Sequence, residues 1–586
     1  MQPSAAAPAL APSMPLNFDC PSKIAGLNYD DDHVLHAPAL RFAVTPNPFG
    51  AGTGHKDTED GRRLIAAVDA ALARRASSGS DDVKDLEINF VYGSPRNRYI
   101  DMASGGLYLF RHGHAADITS GHVAAWLRFG ERRVTGRFTL AVPVLPRYAK
   151  KTAAAAVPER KLYAEMPSSA RSETVSLTLG NASLAVPIAG AFHALADLLL
   201  SHARIVPNSA DERNLGHLLS ASCCPRLRRL RLEYITGLAA LRLQATATLG
   251  ELGLDHVRDI ASLELDAPGL RALHVTDCYK MASDDAAVTI SAARLETLAC
   301  ADMCHPDRLQ FDGAATVRRL DKIFLWSHGR PGVYSNAGAV WLLQHCTAAN
   351  SLGVHLSPPV VCIMDAFTIN LSIPSTFMTH SITLTTHFDF SSCTLNQDLK
   401  AKYWKDMEEM VSPVPQLSNI TSLTIDAQRQ HIEASIAKLI AKCSRLERLT
   451  INISRPCDPC SNPYCFCNRE AGWDDQTISL EHLREGKITG LQPSDDHLSL
   501  VRRLIASAPA LERMTVELYI GKELDCSSIP CNRGHWAPCV IGQSSRRICN
   551  KAYEWTPGKK RKEGQLVMHP GKRSVHSLLS LQQNHQ

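Results

Sequence analysis

The sequence has no strong excess of charge of either sign. Its 586 residues include 63 Lys and Arg against 58 Asp and Glu, which gives a formal net charge of +5. Only 21% of the residues are charged, and only 6% are aromatic. A near-neutral chain of this size argues against a strongly basic nucleic-acid binder and against an acidic, disordered solvating segment.

Long apolar runs and targeting signals are also missing. No stretch approaches the ~18 consecutive apolar residues that a membrane-spanning helix needs. The first residues, MQPSAAAPALAPSMPLNF, have no basic start and no sustained apolar core, so they do not resemble a signal peptide. We therefore predict a cytoplasmic or nuclear protein without membrane contact.

The 18 cysteines are more typical of a reducing compartment than of a disulfide framework. Several lie singly in apolar runs, where a thiol behaves as a small hydrophobic group; these are Cys300, Cys346, Cys362 and Cys443.

Two denser groups leave a zinc site open, because zinc needs four converging N or S ligands. The groups are Cys457, Cys460, Cys465 and Cys467, and then Cys526, Cys531, His535 and Cys539. The first has a tight C-x-C second half in a Pro-containing loop, so structural loops without metal are the favoured interpretation for both. We predict no cofactor.

The sequence is rich in an internal leucine repeat. The pattern L-x-x-L-x-L recurs from residue 227 to residue 300, at intervals of 10 or 11 residues as far as residue 270. These intervals are too short for full leucine-rich repeats of about 20–29 residues. Alternate copies start at residues 227, 249, 270 and 295, which are 22, 21 and 25 apart, and Val317-x-x-Leu320 follows 22 later. Each repeat is therefore expected to have one strand on an inner face and a short extended return on an outer face.

A second version of the repeat carries a helix. Residues 438–451 and 503–516 align without gaps, and residues 217–232 align with one extra residue. Each segment predicts an amphipathic helix, then a small residue (Cys443, Ala508 or Cys224), then a strand; residues 333–356 are a looser fourth case. Because such a helix cannot bury its apolar stripe alone, stacking of successive units would supply the partner surface.

These patterns predict an α/β leucine-rich-repeat solenoid, horseshoe-like, with disordered termini. Residues 1–60 are predicted to be a disordered Ala/Pro-rich segment and residues 61–172 an N-terminal α/β repeat-like region. Within that region we expect helices at 61–75 and near 122–133, strands at 83–90 and 134–143, and an exposed linker over 147–172. The solenoid is assigned to 173–455, a Cys-rich loop with a helix-strand unit to 456–520, and an irregular, Cys-rich, basic tail to 521–586.

The outward positions of the repeat are the candidate partner-binding residues. In L-x-x-L-x-L the leucines point into the core and the residues between them point out. The mixed charge of these residues suits a protein partner better than a polyanion. They are Arg229, Arg231, Glu233, Glu251, Asp255, His274, Thr276, Arg448, Thr450, Arg513 and Thr515.

Three other motifs are weaker. Arg111 and His112 in FRHGHA resemble a histidine-phosphatase signature, but that chemistry also needs a second Arg, a second His and an acid, and a polar loop is favoured. GAGTG at 50–54 lacks the helix and the Lys-Ser/Thr of a phosphate loop. GKKRKEG at 558–564 is interpreted as a solvated tail, with nuclear localisation or phosphate contact as alternatives. We predict no catalytic residues and no enzyme activity.

Several segments, in order, resemble the plant F-box/leucine-rich-repeat/FBD proteins over roughly residues 61–520. They include VKDLEINF, HVAAWLRFGERRVTGRFTLAVP, SETVSLTLGNASLAVP, HLLSASCCPRLRRLRLEYITGLAALRLQA and SLELDAPGLRALHVTDCY. PCDPCSNPYCFC together with ISLEHLREGKITGL and HLSLVRRLIASAPALERMTVEL resembles the FBD-type C-terminal module, which makes the unit in 456–520 FBD-like.

This resemblance implies the target-recognition part of an SCF-type E3 ubiquitin ligase, in which an N-terminal F-box docks a Skp-type adaptor and the repeats bind the target. Residues 1–60 lack the Leu-Pro-Asp-type start, apolar helix and Trp-containing end of an F-box, and the first tryptophan is Trp126. Two interpretations therefore stay open. One is a ligase receptor, with adaptor binding only if an F-box is restored. The other is a repeat scaffold with no ligase role, and the target protein is unknown in both.

Overall fold

The computed structural model describes twenty stretches of the chain. They are residues 16–17, 37–43, 54–78, 82–90, 98–101, 106–109, 117–142, 162–187, 189–206, 214–245, 247–278, 286–301, 304–326, 336–357, 410–427, 433–453, 478–491, 495–518, 551–556 and 565–568. The chain divides into two compact units, Met1–Thr316 and Val317–Gln586. This division falls inside the predicted solenoid, 173–455.

The first unit is mostly strand. Its strands are β1 Leu16–Asn17, β2 Ala39–Ala43, β3 Val83–Asn89, β4 Arg98–Asp101, β5 Gly106–Leu109, β6 Val134–Val142, β7 Tyr163–Glu165, β8 Thr174–Ala185, β9 Asp197–Ile205, β10 Arg229–Thr236, β11 Ala240–Gln244, β12 Glu251–Asp255, β13 Ser262–Asp266, β14 Ala272–Thr276, β15 Ala287–Ser291, β16 Thr297–Cys300 and β17 Leu309–Asp312. Its helices are α1 Gly54–Ser77, α2 Ser120–Arg133 and α3 Asn214–Leu218, with 3-10 turns at Pro306–Arg308 and Ala314–Thr316.

Most of these strands form one parallel sheet. The order is β1, β2, β3, β6, β8, β9, β10, β12, β14, β16, and β7 also pairs in parallel with β8. A second parallel sheet has the order β11, β13, β15, β17. The alternate copies of the leucine pattern thus fall on two separate sheets, as their spacing predicts.

Leucines in register build the core of this unit. Leu230 pairs with Leu252, which pairs with Leu273, and all three are buried completely. On the second sheet, Leu241 pairs with Leu263, and both are buried as well. Period-2 alternation places every leucine of a strand on the same side, so both sheets bury one face.

The predicted N-terminal helices form and pack on this sheet. In α1 the buried side chains include Leu64, Val68 and Leu72, spaced four apart as one helical stripe requires. Trp126 of α2 is fully buried, and its Nε1 donates a hydrogen bond of 2.8 Å to Asp69 of α1. The Trp126 ring also stacks on Phe90, with ring centroids 5.4 Å apart.

The structure differs from the sequence prediction at both ends of this region. Strand β2 lies inside the segment predicted to be disordered, because Leu40 and Phe42 alternate as buried residues and pair with β3. Helix α1 also begins earlier than predicted, at Gly54, so the expectation that no helix follows GAGTG is wrong, although the Lys-Ser/Thr of a phosphate loop is still missing.

Part of the predicted linker, 147–172, is ordered as well. It contains β7, and Arg171 makes a two-pronged ion pair with Asp82 at 2.6 and 2.7 Å. A short polar segment without periodicity gives no local sequence pattern from which a contact such as Arg171–Asp82 could be predicted.

The second unit repeats a helix-strand pattern. Its strands are β18 Arg319–Trp326, β19 Ser351–Ser357, β20 Ser422–Ala427, β21 Arg448–Ile453, β22 Glu485–Leu491, β23 Arg513–Leu518, β24 Lys551–Thr556 and β25 Gln565–Met568. The first six are parallel neighbours in chain order, and β24 and β25 add antiparallel strands beside β23. These last two strands lie in the segment predicted to be irregular.

Helices α4 Ala337–His345, α5 Glu433–Ala441 and α6 Asp495–Ala506 precede β19, β21 and β23. A buried small residue follows the helix end in each case: Cys346, Cys443 or Ala508. Five residues after it the strand begins, so the predicted alignment of 438–451 with 503–516 is confirmed. In 217–232 the helix is only the five-residue α3, and turns take up the rest before β10.

The cysteines at the buried position after each helix keep their thiols protonated because they are buried. Burial raises the pKa of Cys224, Cys346 and Cys443 to about 12, and in Cys224 the neighbouring Cys223 adds to the effect. Cys300 is buried too. The interpretation of these cysteines as small hydrophobic residues is confirmed; Cys362 lies outside the described residues.

Candidate protein-binding surface

The outward residues of β9, β10, β12 and β14 form aligned rows on the first unit, which we call the unit 1 face. Row 1 contains Asp197, Arg229, Glu251 and Ala272. Row 2 contains Leu199, Arg231, Gly253 and His274. Row 3 contains Ser201, Glu233, Asp255 and Thr276. Seven of the eleven residues predicted from the sequence lie on this face, in three rows across neighbouring strands.

Ion pairs join the charges of rows 1 and 2. Arg229 donates two hydrogen bonds of 2.7 Å to the Asp197 carboxylate. Hydrogen bonding to Asp197 and the negative charge of Asp197 raise the pKa of Arg229. Arg231 bonds Glu251 at 2.6 Å. The basic side chains of these rows are therefore matched by carboxylates one strand away.

We expect the Arg229–Asp197 pair to couple by only about 0.5–1 kcal/mol, because Arg229 is 58% exposed and water screens the attraction. A double-mutant cycle with R229Q and D197N, measured by chemical denaturation, would give this coupling energy. The Arg242–Glu264 pair of the second sheet, with one contact of 2.8 Å, is the matched control and should couple less. A coupling well above 1 kcal/mol would show that the pair is far less screened than its exposure indicates.

Row 3 is less accessible than the other rows. Ser201 and Thr276 are buried, at 4% and 5% exposure, whereas Glu233 and Asp255 are partly exposed. The Thr276 hydroxyl donates to Asp255 Oδ1 at 2.5 Å, so this threonine positions a neighbouring carboxylate more than it offers a surface of its own.

Four residues that were not predicted from the sequence as partner-binding residues directly follow the residues of row 3. We call them the corner residues: His202, Tyr234, His256 and Asp277. Each has a positive φ between 51° and 54°, a left-handed conformation that is uncommon outside glycine. Such backbone persists only where its surroundings fix it, and it is often found at functional sites. The signal in the sequence is positional: each follows directly on a row 3 residue.

Three corner residues form a stack of rings. The His202 and Tyr234 centroids are 4.5 Å apart, and the Tyr234 and His256 centroids are 4.4 Å apart. Burial and the nearby His256 lower the pKa of His202 to about 4. The His202 imidazole is therefore neutral at physiological pH, and its Nδ1 lies 2.7 Å from the Ser201 hydroxyl.

The His256 imidazole lies between two carboxylates. Its Nδ1 is 3.1 Å from Asp255 Oδ1, and its Nε2 is 3.6 Å from Asp277 Oδ2. One ligand atom from each of these three residues lies within 4.8 Å of the others. The two carboxylates therefore lie beside different nitrogens of the same ring.

The remaining predicted residues lie on the second unit. Arg448 and Arg513 flank Glu485 in one row, and Arg513 bonds Glu485 at 2.8 Å. Thr450 and Thr515 flank Lys487 in the next row. The structure therefore brings these four residues together on one face of this unit.

A polar ladder follows on the same face of the second unit. Asn452 donates to Asp426 at 2.7 Å, and Thr489 donates to Asn452 at 2.9 Å. The face thus also consists of aligned polar side chains.

The two Cys/His groups, 457–467 and 526–539, lie outside the described residues, and so do Arg111, His112 and 558–564. Within the part of the chain that the structure describes, no helix is both long and apolar enough to cross a membrane.

Comparison with known proteins gives no relative. No family model, no curated protein and no solved structure matches the chain.

Proposed function

We propose that this chain is a leucine-rich-repeat solenoid whose exposed sheet faces bind another protein, without catalysis. The observation that carries the proposal is the register of the strands. Residues 22 and 21 positions apart, such as Glu233, Asp255 and Thr276, become direct neighbours because β10, β12 and β14 pair in parallel. Repetition of this kind produces extended surfaces that suit macromolecular partners.

The chemistry of the unit 1 face supports a protein partner. Acidic and basic side chains alternate across row 1, and such mixed charge gives specificity toward a folded protein surface, whereas a polyanion needs a surface of net positive charge. In the first unit, the cavity lined by residues such as Phe138, Leu177 and Phe192 is mostly apolar and too small for an organic substrate. A broad polar face is the better candidate for recognition.

Site-directed photocrosslinking tests this proposal. The photoreactive residue p-benzoylphenylalanine replaces Arg231 on the unit 1 face, or, as the matched control, Arg242 on the second sheet of the same unit. Both arginines are about half exposed, at 51% and 50%, and both lie on strands. We expect a discrete crosslinked protein at position 231 that excess unmodified chain competes away, and none at position 242. Equal crosslinking at both positions, or none at either, would contradict the assignment of this face.

We further propose that the partner is a target for ubiquitination and that the chain is the recognition part of an SCF-type E3 ligase receptor. The resemblance of residues 61–520 to the F-box/leucine-rich-repeat/FBD proteins supports this role. Co-purification of the full chain with a Skp-type adaptor is the test, with a chain bearing a grafted F-box as the positive control. Adaptor binding by the unmodified chain would support the ligase role, and binding by the grafted chain alone would remove it for this chain.

The second candidate is an interaction scaffold without a ligase role. Residues 1–60 lack the F-box pattern, and of the two strands that the structure describes there, β1 pairs with β2 and β2 pairs with β3 in the sheet. The same adaptor experiment separates the two: failure of adaptor binding, together with the crosslink at position 231, is the result that this candidate predicts.

A further inference from the structure

Arginines without a carboxylate partner are concentrated in the turns that lead into β10, β14 and β16. In rows 1 and 2 each arginine pairs with a carboxylate, Arg229 with Asp197 and Arg231 with Glu251. The turns carry four more arginines, all exposed, and none of these four makes an ion pair within the part of the chain that the structure describes. We call them the arginine rim: Arg226, Arg228, Arg271 and Arg294.

The backbone places two residues of the arginine rim on either side of a glycine. The Gly250 N–H donates to the Arg228 carbonyl oxygen, and the Arg271 N–H donates to the Gly250 carbonyl oxygen, both at 2.9 Å. Arg228 and Arg271 are therefore two strands apart, which is ~10 Å. A Cβ at Gly250 would have the Arg228 carbonyl oxygen as its nearest neighbour, at 3.8 Å. The space between the two arginine positions is therefore open to a side chain of a partner.

The turns of the arginine rim carry an excess of positive charge. Residues 225–228, 247–250, 267–271 and 292–296 contain four arginines and one carboxylate, Glu296. The fork of an arginine side chain matches the geometry of a carboxylate, so the complementary ligand is acidic. The Glu296 N–H donates to the Arg271 carbonyl oxygen at 2.9 Å, so the one carboxylate lies on the strand next to Arg271. A ligand with a negative charge at every position would meet repulsion there, whereas a peptide can place a neutral residue beside Glu296.

We propose that the arginine rim binds glutamate or aspartate side chains of an extended, acidic segment of the protein partner. This inference rests on the proposed protein-binding function of the adjoining face, since Arg228 and Arg271 directly precede Arg229 and Ala272 of row 1. Alternate side chains of an extended peptide are ~7 Å apart. Arginine side chains are long enough to cover the difference from ~10 Å, so two carboxylates of one segment can reach Arg228 and Arg271 at once.

Peptide binding to the full chain tests this inference. The probe is a fluorescein-labelled nonapeptide in which glutamate alternates with serine, with both ends blocked. A matched peptide carries glutamine in place of glutamate, and a labelled single-stranded oligothymidylate of the same length represents a polyanion. Anisotropy titration of the unsubstituted chain should show binding of the glutamate peptide, much weaker binding of the oligothymidylate and none of the glutamine peptide. Added NaCl should weaken the binding because salt screens exposed charges.

The variant R228Q/R271Q removes two charges of the arginine rim. The matched control is R128Q/R132Q, which removes two exposed arginines from helix α2 of the same unit and changes the net charge equally. We expect roughly tenfold weaker binding of the glutamate peptide by R228Q/R271Q, since two partly screened charge pairs are lost. The control should bind like the unsubstituted chain, and circular dichroism checks that both variants fold.

Three results would overturn the inference: no binding of the glutamate peptide, equal or tighter binding of the glutamine peptide or the oligothymidylate, or equal loss in both variants. The crosslinking experiment then shows what has failed. A competed crosslink at position 231 without binding of the glutamate peptide rejects the acidic segment and leaves the protein-binding face standing, whereas failure of both rejects the face as well.

Discussion

Replacing Gly269 by alanine should destabilise the first unit by about 3 kcal/mol, near the upper end for overpacking a tightly packed site. A Cβ atom at Gly269 would overlap the carbonyl oxygen of Ala247 and approach its carbonyl carbon to 2.5 Å. The obstacle is backbone, not the movable end of a side chain. Relief of the overlap would therefore displace one repeat of the chain relative to the next.

Gly250→Ala is the matched control. A Cβ at Gly250 would have the Arg228 carbonyl oxygen as its nearest neighbour, at 3.8 Å, an ordinary contact. Alanine at this position lowers the conformational entropy of the unfolded chain and causes no steric overlap in the folded chain. The free energy of unfolding should therefore stay the same or rise by up to about 1 kcal/mol. Chemical denaturation with hydrogen exchange of β12 and β14 measures both variants. Equal losses would show that the repeats do not approach as closely as the structure places them.

The periodic part of the fold could be predicted from the sequence because one physical rule operates at each repeat. Leucines two positions apart must share a buried face, and the spacing of 22, 21 and 25 residues fixes which strands are neighbours. The actual strands begin at residues 229, 251, 272 and 297, with the same spacing. Local alternation and repeat length therefore sufficed for β10, β12, β14 and β16.

The N-terminal strands obey no such spacing. Strands β2, β3, β6, β8 and β9 begin at residues 39, 83, 134, 174 and 197, so their order in the sheet depends on long-range pairing. The anchoring of 162–172 depends on contacts such as Arg171–Asp82, which are 89 residues apart. Neither feature leaves a local pattern, which explains why β2 and β7 were not predicted.

The candidate site was predicted in part for the same reason. Outward positions follow from alternation, so Arg229, Arg231 and Glu233 could be identified. The corner residues could not, because His and Asp are only modestly enriched in left-handed backbone and Tyr234 has no preference for it. The stack of His202, Tyr234 and His256 runs across neighbouring strands, and only the register of the sheet brings these rings together.

Acidification should destabilise the first unit through His202. Burial lowers the pKa of His202 from 6.5 to about 4 in the folded chain. Below pH 6.5 the unfolded chain takes up a proton that the folded chain does not, so stability is lost as the pH falls toward 4. Between about pH 7.5 and about pH 5, His202 alone should cost about 2 kcal/mol of unfolding free energy.

The variant H202N isolates this contribution, because asparagine tolerates the left-handed conformation better than most residues and does not titrate in this range. Its absolute stability will change, since a ring of the stack is lost, so the quantity to compare is the pH dependence. Denaturation curves at both pH values should show about 2 kcal/mol less pH dependence for H202N than for the unsubstituted chain. The matched control is H193N, which removes an exposed histidine outside the ring stack. If H202N kept the full pH dependence, His202 would titrate alike in both states, and the ring stack would not be the dry environment that its pKa requires.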